Sequence, residues 1–343
     1  LSVDIAGEDE TMNVFTKMGV LCACAVASLS LAACGGGGDK PSGGPIGVTQ
    51  ITGPNVVKYN SGASVGDLLT YSIDKVTFDY SYLFVSGVYN GQAGKGKLTS
   101  LGGYRYQTTT GQYVLFDPDR LAVVEMNIAG ADLLIAGVPS RTTAYNFASL
   151  VGVYNWGGYI SPTGAAGTYF TDHGTFEILP GGNWRSCAQE DLRQVGTIPD
   201  YTGTMLDLGN GQIRLTDTAT SSIVGTLMLI ETAAGAKYLV CDLAGGVFGH
   251  GMLIGTEIPA APLDNSGGIW DGTYEYITNG GTFASVTVTG SNYTSSLGPS
   301  GAFTFNSPWD GWVEDAAGFI YLIGKDGAFF GAPNGELCAG LKQ

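Results

Sequence analysis

The sequence predicts an all-β protein, built of tandem antiparallel β units (small barrels or sandwiches) behind an N-terminal segment of different character. Three observations carry that prediction. Apolar and polar residues alternate with a period of two in stretch after stretch, which suits half-buried antiparallel strands. Asn90-Gly91, Asn210-Gly211, Asn279-Gly280 and Asp326-Gly327 fall between such stretches, as hairpin turns that need positive φ would require. Glycine reaches 55 of 343 residues with no collagen period, a density that implies many tight turns between short strands.

Taken in order, Val76, Phe78, Tyr80, Tyr82 and Phe84 would share one strand face, with Thr77, Asp79 and Ser81 on the other. Phe176-Glu177-Ile178, Ile213-Arg214-Leu215 and Ile223 to Ile230 repeat the pattern. Ala284, Val286 and Val288 alternate with Ser285, Thr287 and Thr289. Helical periodicity is confined to two short candidates, Thr143 to Val151 and Gln189 to Gln194. Gly87-Val88-Tyr89-Asn90 recurs as Gly152-Val153-Tyr154-Asn155, with Gly272-Thr273-Tyr274-Glu275 a weaker third copy. These marks divide the chain into three β units, 48–142, 148–258 and 266–343. The joints are 146–151 and the Pro- and Ala-rich 259–268.

The N-terminal segment reads differently. Met12 is a plausible start, which would make residues 1–11 upstream translation or a misassigned start. Lys17 supplies a positive region, and Met18 to Ser30 an apolar run too short to span a membrane. The run closes on Leu31-Ala32-Ala33-Cys34, which resembles the lipobox of bacterial lipoproteins. That resemblance implies a signal peptide over 12–33, cleavage before Cys34 and lipidation of Cys34. Gly35, where that family places Asp to retain proteins at the inner membrane, implies an outer-membrane destination. Residues 34–47, rich in Gly, Pro and Ser, form a flexible tether reaching on the order of 20 Å. More than one acyl chain gives stable anchoring without a transmembrane helix.

Charge narrows the partners. The net charge is −15, of which Asp4, Glu8, Asp9, Glu10 and Lys17 contribute −3, leaving −12 on the processed chain. So acidic a protein gains nothing from counterion release, which excludes nucleic acid as a partner. Cys187, Cys241 and Cys338 lie beyond the anchor. In an oxidising envelope Cys187–Cys241 is the favoured bridge because both fall in one unit, with three separate buried thiols the alternative.

Catalytic motifs are weak. Gly91-Gln-Ala-Gly-Lys-Gly96-Lys97 approaches a phosphate-binding loop, but Leu98 replaces the metal-binding hydroxyl and no helix follows. Gly62-Ala63-Ser64-Val65-Gly66 fits G-x-S-x-G without the strand–turn–helix that a nucleophile elbow needs. His173 and His250 are too scattered for a zinc site. Neither Asp117-Pro118-Asp119 nor Asp310 with Glu314 and Asp315 fits a calcium loop. No metal and no cofactor is therefore expected. Trp270, Trp309 and Trp312 form the densest aromatic group and the candidate recognition surface, with core filling as the alternative. The middle unit loosely resembles a lipocalin-like barrel, from Gly152-Val153-Tyr154-Asn155-Trp156 through Asn183-Trp184-Arg185-Ser186-Cys187 to Gly255.

The reading that follows is a non-enzymatic, outer-membrane-anchored lipoprotein. It would bind a glycan, a small ligand or another envelope protein. The alternatives are an envelope hydrolase acting on glycan or peptide, and a structural surface component.

Overall fold

The computed structural model describes residues 48–343 except 129, 162–168, 245–248, 267, 299 and 332–335. The signal segment, Cys34 and the tether lie outside the described residues. The all-β, tandem antiparallel fold is the one the chain adopts, in three sheets of sequence-consecutive strands. Eight strands, β1 (Val56–Ala63) through β8 (Ala131–Pro139), close into a barrel. A second closed barrel runs from β9 (Gly152–Ser161) to β16 (His250–Glu257). The third sheet begins at β17 (Gly272–Thr278) and ends at β25 (Cys338–Lys342). It curls round until its two edge strands, β20 (Ser300–Ala302) and β21 (Thr304–Phe305), are separated only by Phe303.

Of the two helix candidates, Phe147–Leu150 forms a single turn, α1, capped by the Asn146 side chain. Residues 189–194 form bends and turns instead. No helix among the described residues is long and apolar enough to cross a membrane.

Strand pairing shows how the three units correspond. The first strand of each carries a fully buried tyrosine: Tyr59, Tyr154 and Tyr274. Each pairs with the last strand of its own unit, at Pro139, Glu257 and Lys342. The repeat visible in the sequence has a different register in the first unit. Gly87 to Asn90 form the turn between β3 (Asp79–Phe84) and β4 (Ala93–Gly102), while Val57-Lys58-Tyr59-Asn60 occupies the place of Gly152-Val153-Tyr154-Asn155. A glycine then recurs where each sheet closes: Gly137, Gly255 and Gly340. A Cβ at Gly255 would lie 2.2 Å from the Asn155 carbonyl oxygen, and one at Gly340 2.2 Å from that of Glu275. Only glycine lets these backbones approach.

A second device recurs inside the barrels, where an aromatic ring lies across a glycine of the neighbouring strand. Tyr80 covers Gly96, Trp184 covers Gly203 and Tyr293 covers Gly301. The ring shields a strand position that has no side chain of its own.

Each barrel has its own interior core, and a further core lies where the three meet. Leu121, Val123 and Leu134 reach it from the first unit, Met228, Val240 and Ile254 from the second, and Leu322, Phe330 and Leu341 from the third. Strands bordering it are apolar on both faces, which explains unbroken runs such as Leu133-Leu134-Ile135-Ala136. Polar contacts join the units as well. Asn60 of β1 donates to the Asn210 carbonyl of the second unit, and Asn155 of β9 to the Asp310 carbonyl of the third at 2.9 Å. Glu275 of β17 meets Arg105 of the first unit at 3.2 Å. These three residues hold equivalent first-strand positions, and each reaches a strand end of another unit: Asn210 after the fourth strand of the second, Asp310 after the fifth of the third, and Arg105 at the start of the fifth of the first.

Candidate functional site

The two closed barrels and the barrel-like third sheet, called the third barrel below, differ in what fills them. In the second, Phe176 stands opposite Tyr154 and stacks on Trp184 at 5.5 Å, leaving about 20 Å³ of free space. In the first, Tyr71 holds that position opposite Tyr59 and stacks on Tyr80 at 5.6 Å. The third barrel carries Val286 there, opposite Tyr274. One aromatic ring is missing from its interior, and a cavity of about 360 Å³ opens in its place.

This cup is walled by rings. Tyr293 stacks on Phe303 at 4.5 Å, Phe303 meets Tyr321 edge-on at 5.8 Å, and Tyr321 stacks on Phe329 at 5.2 Å. Tyr276 and Phe319 extend the wall, while Thr278, Thr282 and Ser295 supply hydroxyls. Two carboxylates, Asp315 and Glu336, border the space. Asp315 also organises the turn after β22 (Trp312–Glu314). Its Oδ1 accepts from Ala317 and Phe319 N–H groups, each at 2.9 Å, and its Oδ2 from the Tyr321 hydroxyl at 3.2 Å. Burial, with the Asp315 charge adding, pushes the Tyr293 phenol up. Burial first, then Cys338 and Asp315, pushes up that of Tyr321. The phenols therefore face the cup as neutral hydroxyls.

The residues singled out from sequence lie elsewhere. Trp312 is 1% exposed, in the core shared by the three units, and Trp270 is 7% exposed against the third barrel's interior. Trp309 is part-buried, stacked on His173 at 5.5 Å, and its indole N–H donates to Asn155 Oδ1 at 2.7 Å. Trp309 and Trp312 wedge the second and third units together, Trp270 packs within the third, and the three are buried or part-buried. For Trp312 the sequence pattern misleads because the outer face of its strand is buried too.

The Cys187–Cys241 bridge is also corrected, since Cys187, Cys241 and Cys338 are all free and buried. Trp184 and Ser186 of β11 (Asn183–Ala188) point into the second barrel with Cys241. Cys187, one residue out of phase, lies on the opposite side of the wall, where its Sγ meets the Ile198 carbonyl at 3.3 Å. Burial pushes all three thiols up, so they remain protonated and poorly reactive.

Ser64 is 1% exposed, and its Oγ accepts the Leu134 N–H at 3.2 Å. Lys97 is exposed on β4. His173 lies between Trp309 and Trp312, with burial lowering its pKa against the opposing pull of Asp172. Asp117 is bound to Arg120 at 2.6 Å, and Asp310 to Arg193 at 3.1 Å. Among the described residues, no three His, Cys, Asp or Glu side chains come together as a metal site. The Val286 cup was missed because its signal, one small residue at a position filled by a ring in the other units, appears only once the strand registers are known.

No family model and no curated protein matches this chain. A solved structure described as a putative DNA polymerase III beta subunit from Eubacterium rectale aligns with 86% of this chain and 93% of its own, at 8% identity and a TM-score of 0.11. A likeness that slight carries no argument about fold or function.

Proposed function

We propose that the protein is a non-enzymatic binding lipoprotein, held at the outer membrane through Cys34, with the cup of the third barrel as its ligand site. The cup supports this reading because it sets the interior of the third unit apart from the filled second barrel, and its lining is apolar and aromatic with a few polar tips. Small-molecule sites have that character. A hydrolase would need a working pair of carboxylates. Asp315 is committed to its own turn and to Tyr321, which leaves Glu336 without a partner in catalysis.

Two experiments separate the halves of the proposal. Replacing Cys34 with Ser should release the protein from membranes and abolish incorporation of labelled fatty acid. Retention of the variant in the membrane fraction would remove the anchor. Val286→Phe should restore to the third barrel the ring that the second carries at the same place. A compound library screened by thermal shift should yield ligands that stabilise the wild type. That stabilisation should vanish in Val286→Phe, while the far-ultraviolet circular dichroism stays unchanged. Ligands that still stabilise the variant would place the binding site outside the cup.

A further inference from the structure

The walls of the cup and its charges point to one class of ligand. Six rings line it: Tyr276, Tyr293, Phe303, Phe319, Tyr321 and Phe329. The faces of such rings are electron-rich and attract cations, the more so where water is excluded. Among the described residues of the lining, the ionisable side chains of formal charge are Asp315 and Glu336, both acidic, with no Lys, Arg or His. Asp315 borders Tyr293 and Tyr321, the latter through a hydrogen bond at 3.2 Å, so its charge lies beside the stacked wall. The same barrel already holds a cation on a ring, since the Lys342 ammonium sits 5.8 Å from the centre of Tyr274, two residues before Tyr276 on β17. A neutral ligand would leave the Glu336 carboxylate unused, and an anion would be repelled by both carboxylates.

We propose that the cup binds an organic cation, an ammonium group with apolar substituents, seated against the Tyr293, Tyr321 and Tyr276 rings between Asp315 and Glu336. This deepens the binding reading above and rests on it. The apolar substituents take the place of the absent ring beside Val286. The charge is balanced by Glu336, whose carboxylate, among the described residues, organises no turn as Asp315 does.

Isothermal titration of the full chain tests the class with choline and its uncharged carbon isostere, 3,3-dimethyl-1-butanol. Choline should bind about ten-fold more tightly than the isostere, a difference within the range of desolvated cation–ring contacts. Glu336→Gln should weaken choline several-fold and reduce its salt dependence, leaving the isostere unaffected. Phosphocholine distinguishes a lipid headgroup from a free cation, since its phosphate would meet two carboxylates. Weaker binding than choline supports a free cation, and equal binding supports a headgroup presenting the same ammonium. Equal affinity for choline and the isostere, or no effect of Glu336→Gln, would overturn the cation. Library ligands that are uncharged and are lost in Val286→Phe would likewise overturn it while leaving the cup as a binding site. Ligands indifferent to Val286→Phe would overturn the cup itself.

Discussion

Trp312→Ala should destabilise the whole folded body in one step, by about 3–5 kcal/mol, the usual cost of deleting a large buried aromatic. The indole is 1% exposed, and its far edge approaches Gly157 on the wall of the second barrel. It belongs to a core to which all three units contribute, so its loss opens a cavity that no single barrel can collapse around. Denaturant unfolding followed by fluorescence and by far-ultraviolet circular dichroism should give coincident curves, shifted together in the variant. Two or three separated transitions would mean that the barrels fold independently and that the shared core contributes little.

Asp242→Asn should stabilise the protein at neutral pH. Asp242, on β15 (Lys237–Ala244), is 2% exposed, and among the described residues its Oδ1 has no hydrogen-bond partner. Burial pushes its pKa up to about 8, with the Asp67 carboxylate adding to the effect. Asp67 is raised by burial as well, opposed by hydrogen bonds from Tyr89 and Val88 and by His250. A carboxyl whose folded pKa is raised binds its proton more tightly in the native state. Stability is therefore full below the unfolded pKa near 4, falls as pH rises toward 8, and levels off above that. Each unit of that window is worth about 1.4 kcal/mol for an isolated group. The amide has no charge to bury, so the variant should lack this slope. By that slope the gain should be at most about 5 kcal/mol at pH 8 and should shrink toward zero below pH 4. Parallel stability curves for the two proteins between pH 4 and 8 would show that Asp242 is ionised in the fold.

Much of the fold was legible because the residues that make strands and turns act locally. Phe78, Tyr80, Tyr82 and Phe84 do line one interior, although Val76 is 62% exposed in the preceding turn. Asn210 and Gly211 take the positive φ values, 56° and 77°, that an Asn-Gly hairpin requires. Ala284, Val286 and Val288 are buried in alternation, as the pattern implies. What could not be read depends on partners distant in the chain. Gly87-Val88-Tyr89-Asn90 matches Gly152-Val153-Tyr154-Asn155 letter for letter, yet the first is a turn and the second opens a strand. The true counterpart, Val57-Lys58-Tyr59-Asn60, is recognised by its pairing with the last strand. Burial on both faces misleads in the same way. A strand in a single barrel would show water one of its faces, whereas Trp312 and Phe330 point outward from their own barrel into the common core. The cup joins both difficulties, because Val286 looks like any strand valine until it is set against Phe176 and Tyr71.

Asn60 reaches from the first unit to the second, Asn155 from the second to the third, and Glu275 from the third back to the first. A contact repeated head to tail closes into a ring when the rotation between copies is one third of a turn, and three separate chains using it would form a cyclic homotrimer. Here the three subunits are one polypeptide. In a true homotrimer the residue that hollows one barrel would hollow all of them, and the assembly would carry three weakened interiors. Fusion removes that obligation. Two units can keep their interior rings and hold the assembly rigid while the third gives up an aromatic side chain, so that the symmetry is broken where the Val286 cup opens.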